Sequence, residues 1–177
     1  MLLREHLTVA CDHVSLSEHT KLMLNVAELC PNSIVPLESP HDIGRYTCLV
    51  HALGFTEKPE YISIASMPGT NVFAGKNFAE WLLTTKSLTE VSPHEAYAGS
   101  MVMYFDDTHD FTHVGLLVTN NRVQSKWGTL GLYEHGLFEV PSNYGEVARY
   151  FMPLPYDEAI ELFYEFAKIE GIEFQDK

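Results

Sequence analysis

Arg45-Tyr46-Thr47-Cys48-Leu49-Val50-His51-Ala52-Leu53-Gly54 is the stretch on which the reading of this chain turns. Leu49, Val50, Ala52 and Leu53 make an apolar helix short enough to be buried, with Thr47 at its N-cap and Gly54 as its stop. Cys48 then falls in the first turn. Unpaired backbone N–H groups and a partial positive charge there favour thiolate over thiol and can receive an oxyanion. Asp42 and Gly44 make the approach to this helix turn-like. Cys11 and Cys30 lack such a setting and read as small core residues, the usual fate of a free cysteine.

The chain around this helix changes period once. Helical spacing of apolar residues predicts helices over 18–29 after Ser17, over 77–86, and over 157–169. Loops carrying Pro36 and Pro40 follow the first, and residues 58–75 read as a strand or as irregular chain. Strands are expected over 99–105, 113–118, 122–127 and 145–154, the second and third joined through Thr119-Asn120-Asn121, where asparagine tolerates positive φ. Helices first and an antiparallel meander second, closed by a C-terminal helix, is an α+β layout. With 177 residues and 46% hydrophobic content, one domain over 1–177 is expected.

Charge and cysteine usage exclude several classes of function. Twenty-four acidic residues against 11 basic ones give a formal charge of −13, which repels nucleic acid and anionic membrane surfaces and suits capture of a basic protein. Met1-Leu2-Leu3-Arg4-Glu5-His6 is too polar for a signal peptide and no stretch is long enough to span a bilayer, so the expected place is the cytoplasm, or outside it by export without a classical signal peptide. Three widely spaced cysteines make neither a disulfide framework nor a zinc site. Asp106-Asp107-Thr108-His109-Asp110 matches no calcium-loop spacing and reads as a solvated acidic connection. No metal and no cofactor is expected.

Cys48 is followed, from a separate element, by Thr112-His113-Val114-Gly115-Leu116-Leu117-Val118, a histidine opening an apolar strand. Cysteine then histidine is the order of papain-like hydrolases. Over residues 42–144 the chain resembles their NlpC-type branch. There the nucleophilic cysteine starts a helix packed on an antiparallel sheet and the histidine opens the second strand in a His-Val-Gly context. Gly99-Ser100-Met101-Val102-Met103-Tyr104-Phe105 is similar to the family's Gly-Asp-Leu-Val-x-Phe strand, with serine in place of aspartate. Thr47 stands where the family often has aspartate or asparagine. The resemblance implies N-terminal helices on a central antiparallel sheet and a cysteine hydrolase of bacterial type. It implies cleavage of a peptide or amide bond, most often in peptidoglycan, by an endopeptidase or amidase.

In that scheme Cys48 attacks a carbonyl, His113 acts as acid and then base, and the two rest as a thiolate–imidazolium pair. The family's third polar residue falls twelve positions after His113, at Ser125. The alternative is Gln124, whose amide oxygen can accept from the imidazole. A two-residue turn at Asn120-Asn121 sets Leu117 opposite Gln124 and puts Gln124 and Lys126 on the face of His113, whereas a bulged loop puts Val123 and Ser125 there. Tyr46 could supply an oxyanion donor. His51, on the cysteine's own helix, reads as a satisfied histidine.

Ser125-Lys126-Trp127-Gly128 also resembles a Ser-Lys-x-Gly pattern of uncharacterised papain-like proteins. With Tyr133 and His135 it suggests a substrate-binding loop, Trp127 and Tyr133 giving flat contact and Lys126 and His135 polar ends. Rival readings are a papain-like fold without catalysis that serves as a binding or immunity protein, a protein deamidase or acyltransferase, and an ordinary small-ligand domain.

Overall fold

Strand β3, Met101–Phe105, is buried along its whole length, so both faces of the sheet around it are covered. The computed structural model describes residues 3–39, 41–42, 46–58 and 73–171. The expectations for Pro40, for Gly44 and for most of 58–75 lie outside the described residues. Within them the helices are α1 (Leu3–Cys11), α2 (Leu16–Leu29), α3 (Cys48–Ala52), α4 (Lys76–Thr84) and α5 (Tyr156–Ile169). The other strands are β1 (Val35–Leu37), β2 (Glu90–Val91), β4 (Phe111–Thr119), β5 (Arg122–Lys126), β6 (Leu132–Gly136) and β7 (Val147–Phe151).

The protein is α+β. Among the described residues seven strands form one antiparallel sheet in the order β1-β6-β5-β4-β3-β7-β2, with the meander β3-β4-β5-β6 at its centre. Alternate residues of each strand point to opposite faces, and two cores result. Met101, Met103, Phe105 and Val114 pack with Leu49 of α3, Phe78 of α4 and Phe163 and Phe166 of α5. Val102, Tyr104, Leu117 and Val123 pack with Leu7 of α1, Met23 of α2 and with Trp127 and Tyr133.

Helix α1 and strand β2 have no counterpart in the sequence reading, and three further elements differ from it. Helix α2 starts before residue 18: Ser15 accepts from the Glu18 N–H at 3.3 Å, and the Glu18 carboxylate accepts from the Ser15 N–H at 3.0 Å, a reciprocal cap. Pro36 lies not in a loop but in β1, opposite Tyr133, at the sheet edge where a missing N–H is tolerated. Residues read as a binding loop form β6, paired with β5 from Arg122–Gly136 to Lys126–Leu132.

Candidate functional site

Thr47 occupies the N-cap of α3, but its hydroxyl donates to the Ala74 carbonyl at 3.3 Å instead of capping the helix. The first-turn N–H groups are left to Cys48. Gly54, at φ 71°, closes this end in the left-handed region that glycine enters without strain. Cys48 is partly exposed and packs against the core shared by α3, α4 and α5.

Its sulfur sits where two strands part. Leu117 donates to the Ser100 carbonyl and accepts from Gly99, so its polar groups face β3. By alternation those of Leu116 and Val114 face β5. The β4–β5 ladder ends at Leu116–Gln124, while β5 runs on beside β6 to Lys126–Leu132. The Val114 N–H, without a strand to bond, and the N–H groups of the first turn favour the Cys48 thiolate. Burial pushes the Cys48 thiol up, and these N–H groups and the charge of Lys126 work against it.

The hairpin beyond decides which side chains share a face. Asn120-Asn121 is a two-residue turn, yet a bulge between Leu117 and Thr119 sets Leu117 opposite Val123. Val123 and Ser125 therefore lie on the face of His113, and Gln124 and Lys126 on the face of Val114 and Cys48. Gly115 makes the crossing possible: a Cβ there would meet Val123 Cγ1 at 2.5 Å and Gln124 O and Ser125 Cβ at 2.8 Å.

His113 is buried on the side of α1 and α2. It pairs with Tyr104, and its ring stacks on Tyr144 with centroids 4.0 Å apart and an interplanar angle of 20°. Its Nε2 has no hydrogen-bond partner among the described residues. Val114, the next residue, belongs to the opposite core, the one that Cys48 joins. The imidazole and the thiol thus adjoin the same backbone step from different sides of the sheet, and no hydrogen bond joins them. Burial pushes His113 well below its ordinary value, and the neighbouring His135 and His51 push the same way. Burial thus favours a neutral imidazole, as it favours a neutral thiol at Cys48, and the expected imidazolium at His113 is not supported.

Neither expected orienter is hydrogen-bonded to His113 Nε2. Trp127 Nε1 donates to Ser125 Oγ at 3.0 Å, and Ser125 Oγ lies 2.7 Å from His135 Nε2. His135 Nδ1 is 2.8 Å from the Gly136 carbonyl, which requires the proton on Nδ1, so Ser125 donates to Nε2. Gln124 bonds His51 instead. His51 reads from sequence as a satisfied histidine, yet positions i and i+3 share a helix face, and this spacing is the signal that sets it beside Cys48. His51 keeps a buried Nε2 without a partner among the described residues, and burial lowers it to about 4.

The expected binding loop is interior. Trp127, Lys126 and His135 are each 0% exposed and Tyr133 is 4% exposed, so the flat rings face neighbours and not solvent. Trp127 packs on Tyr133 with centroids 4.6 Å apart, and the Tyr133 hydroxyl donates to His19 Nε2 at 2.7 Å. Tyr46 is likewise no free oxyanion donor. Ser39 gives its proton to the His41 carbonyl, so the Tyr46 hydroxyl donates to Ser39 Oγ at 2.7 Å. Lys126 alone of the group faces Cys48, its Nζ 4.8 Å from the centre of the Tyr46 ring. Asp106 Oδ1 accepts from the Thr108 and Asp110 N–H groups, both at 2.9 Å, a turn built by a single carboxylate. Among the described residues no group of three or more metal-ligating side chains occurs.

A family described as a domain of unknown function, DUF7689, matches residues 38–152, and the chain belongs to it. The match takes in α3, α4 and β2 to β7. No curated protein and no solved structure matches the chain.

Proposed function

We propose that this member of the DUF7689 family is a cysteine-dependent hydrolase of peptide or amide bonds, with Cys48 as nucleophile. The observation that carries the reading is the setting of the sulfur. Cys48 is a partly exposed residue that opens a helix, and the N–H of Val114 favours its thiolate where β4 and β5 separate, one residue from His113. A cysteine helix packed on an antiparallel sheet beside a histidine-bearing strand also supports the finer assignment to a papain-like, NlpC-type fold.

The reaction is acyl transfer. The sulfur bonds to the carbonyl carbon as the C–N bond breaks, the amine leaves with a proton, and water cleaves the thioester to restore the thiol. The neutral imidazole on the thiol's side of the sheet that can carry the proton is His51, held by Gln124, whereas His113 lies across the sheet. Substrates within this class include peptidoglycan stems, protein side-chain amides and isopeptides.

Turnover of peptidyl anilides and of peptidoglycan fragments by the wild type, lost in Cys48→Ala with unchanged circular dichroism, is the expected result. Turnover that survives in Cys48→Ala removes it as nucleophile. A second reading, a non-catalytic binding protein on the same fold, is favoured by the stacking of His113 on Tyr144 away from the thiol. Under it no substrate turns over, and a basic protein partner is captured by the acidic surface.

A further inference from the structure

Lys126 is a fully enclosed cation with no carboxylate against it among the described residues. Building on the reading of Cys48 as nucleophile, we infer that the Lys126 ammonium is the counter-charge of the Cys48 thiolate and acts as a positioning residue in the role otherwise given to an imidazolium.

Strand geometry brings the two together. Gln124 is opposite Leu116, so two residues further along each strand stand Lys126 and Val114, at the place where the ladder has ended. The Cys48 sulfur takes the Val114 N–H there. Lys126 thus flanks the gap that the thiol enters, on the same face of the sheet. Its Nζ donates one hydrogen bond, to the Gly128 carbonyl at 2.9 Å, and lies over the Tyr46 ring. An ammonium has three N–H groups, so the described partners leave it capacity.

An enclosed charge is costly unless an opposite charge or several hydrogen bonds meet it. The other titratable groups on its side are His51 from α3 and Tyr46 ahead of that helix, His19 from α2 interacts with its charge from across the sheet, and none of these is a carboxylate. The Tyr46 hydroxyl is committed to Ser39 Oγ, which leaves Cys48 as the group whose ionised form answers the ammonium. Burial lowers Lys126 to about 8, and the Cys48 charge opposes that fall. Reciprocally, the Lys126 charge favours the thiolate against the burial that raises the thiol. His51 and His113 are both held neutral by burial and leave the cationic role to Lys126.

Iodoacetamide labelling of Cys48 against pH, resolved by peptide mass spectrometry, tests the pair. Lys126→Met, which keeps an unbranched chain and removes the charge, is expected to raise the labelling midpoint by about one pH unit or more, and His113→Ala to leave it in place. A midpoint unmoved by Lys126→Met, or moved by His113→Ala alone, overturns the inference. The reverse measurement does not need the Lys126 variant to fold. Coupling is reciprocal, so the ¹⁵N NMR titration of Lys126 Nζ is expected to fall to lower pH in Cys48→Ala, and an unchanged titration refutes the pair. Turnover is read separately. Essential Cys48 with an unmoved midpoint refutes Lys126 alone, and a moved midpoint with turnover surviving in Cys48→Ala refutes the nucleophile alone.

Discussion

Leu117 stands opposite Val123 across β4 and β5, and Thr119 stands opposite Arg122, which leaves Val118 as the bulged residue. Everything along β5 is sorted by that one extra residue. Ser125 turns to the core under α1 and α2, where His113 also lies, and Gln124 and Lys126 turn to the helix that carries Cys48.

Ser125→Ala leaves His135 Nε2 without its donor and Trp127 Nε1 without its acceptor, both fully enclosed. The loss of stability is expected to be about 2–4 kcal/mol, one desolvation penalty for each stranded group. Urea denaturation reads it. The pH midpoint of Cys48 labelling is expected to stay put, because Ser125 faces the other way; a moved midpoint would assign Ser125 to the thiol site.

Gly115→Ala places a methyl 2.5 Å from Val123 Cγ1 and 2.8 Å from the Gln124 carbonyl. Backbone cannot yield as a flexible side-chain tip can, so β5 must move away from β4. A loss of about 2–3 kcal/mol is expected, with a lower melting temperature. Because the shift widens the gap at Val114, Cys48 labelling is expected to speed up. Unchanged stability and labelling would place the two strands further apart than described.

Acid is expected to destabilise the protein through its neutral interior histidines. Burial holds His135 at about 4, below its ordinary 6.5. The unfolded chain therefore binds a proton that the folded chain refuses. The contribution of His135 is complete above about pH 6.5 and is lost as pH falls toward 4, and it amounts to roughly 3 kcal/mol at full extent. Unfolding free energies measured at pH 7 and pH 4.5 should differ in that direction, and His135→Asn should flatten the dependence. A flat wild-type profile would mean that His135 is not held neutral.

Tyr46→Phe separates structure from catalysis at the residue before the N-cap. It removes the hydroxyl donated to Ser39 and keeps the ring beneath Lys126. Stability is expected to fall by about 1 kcal/mol, while turnover stays within about twofold of wild type. A hundredfold loss of kcat, the scale of a missing oxyanion donor, would restore Tyr46 to that role.

Much of the α+β layout could be read from residue order alone. Apolar residues at helical spacing mark α2, α4 and α5, and the runs around Val102, Val114 and Val123 mark the central strands, because these periods are local properties of the chain. The short helix of Cys48 was equally legible, since its stop at Gly54 and its apolar body are written in ten consecutive residues. Strands β1 and β6 were not. Pro36 argues against a strand except at an edge, and Leu132 to His135 become a strand only by pairing with β5.

The sequence by itself determined which residues carry reactive groups, Cys48, His113, Lys126 and the polar run before Trp127, and that helices precede an antiparallel meander. Only the tertiary structure decided which of them meet. A strand's side chains alternate, so a single bulge at Val118 moves every later residue to the other face. The same sheet, covered on both sides, then enclosed Trp127, Tyr133 and His135 as core and left Gln124 and Lys126 on the side of the thiol.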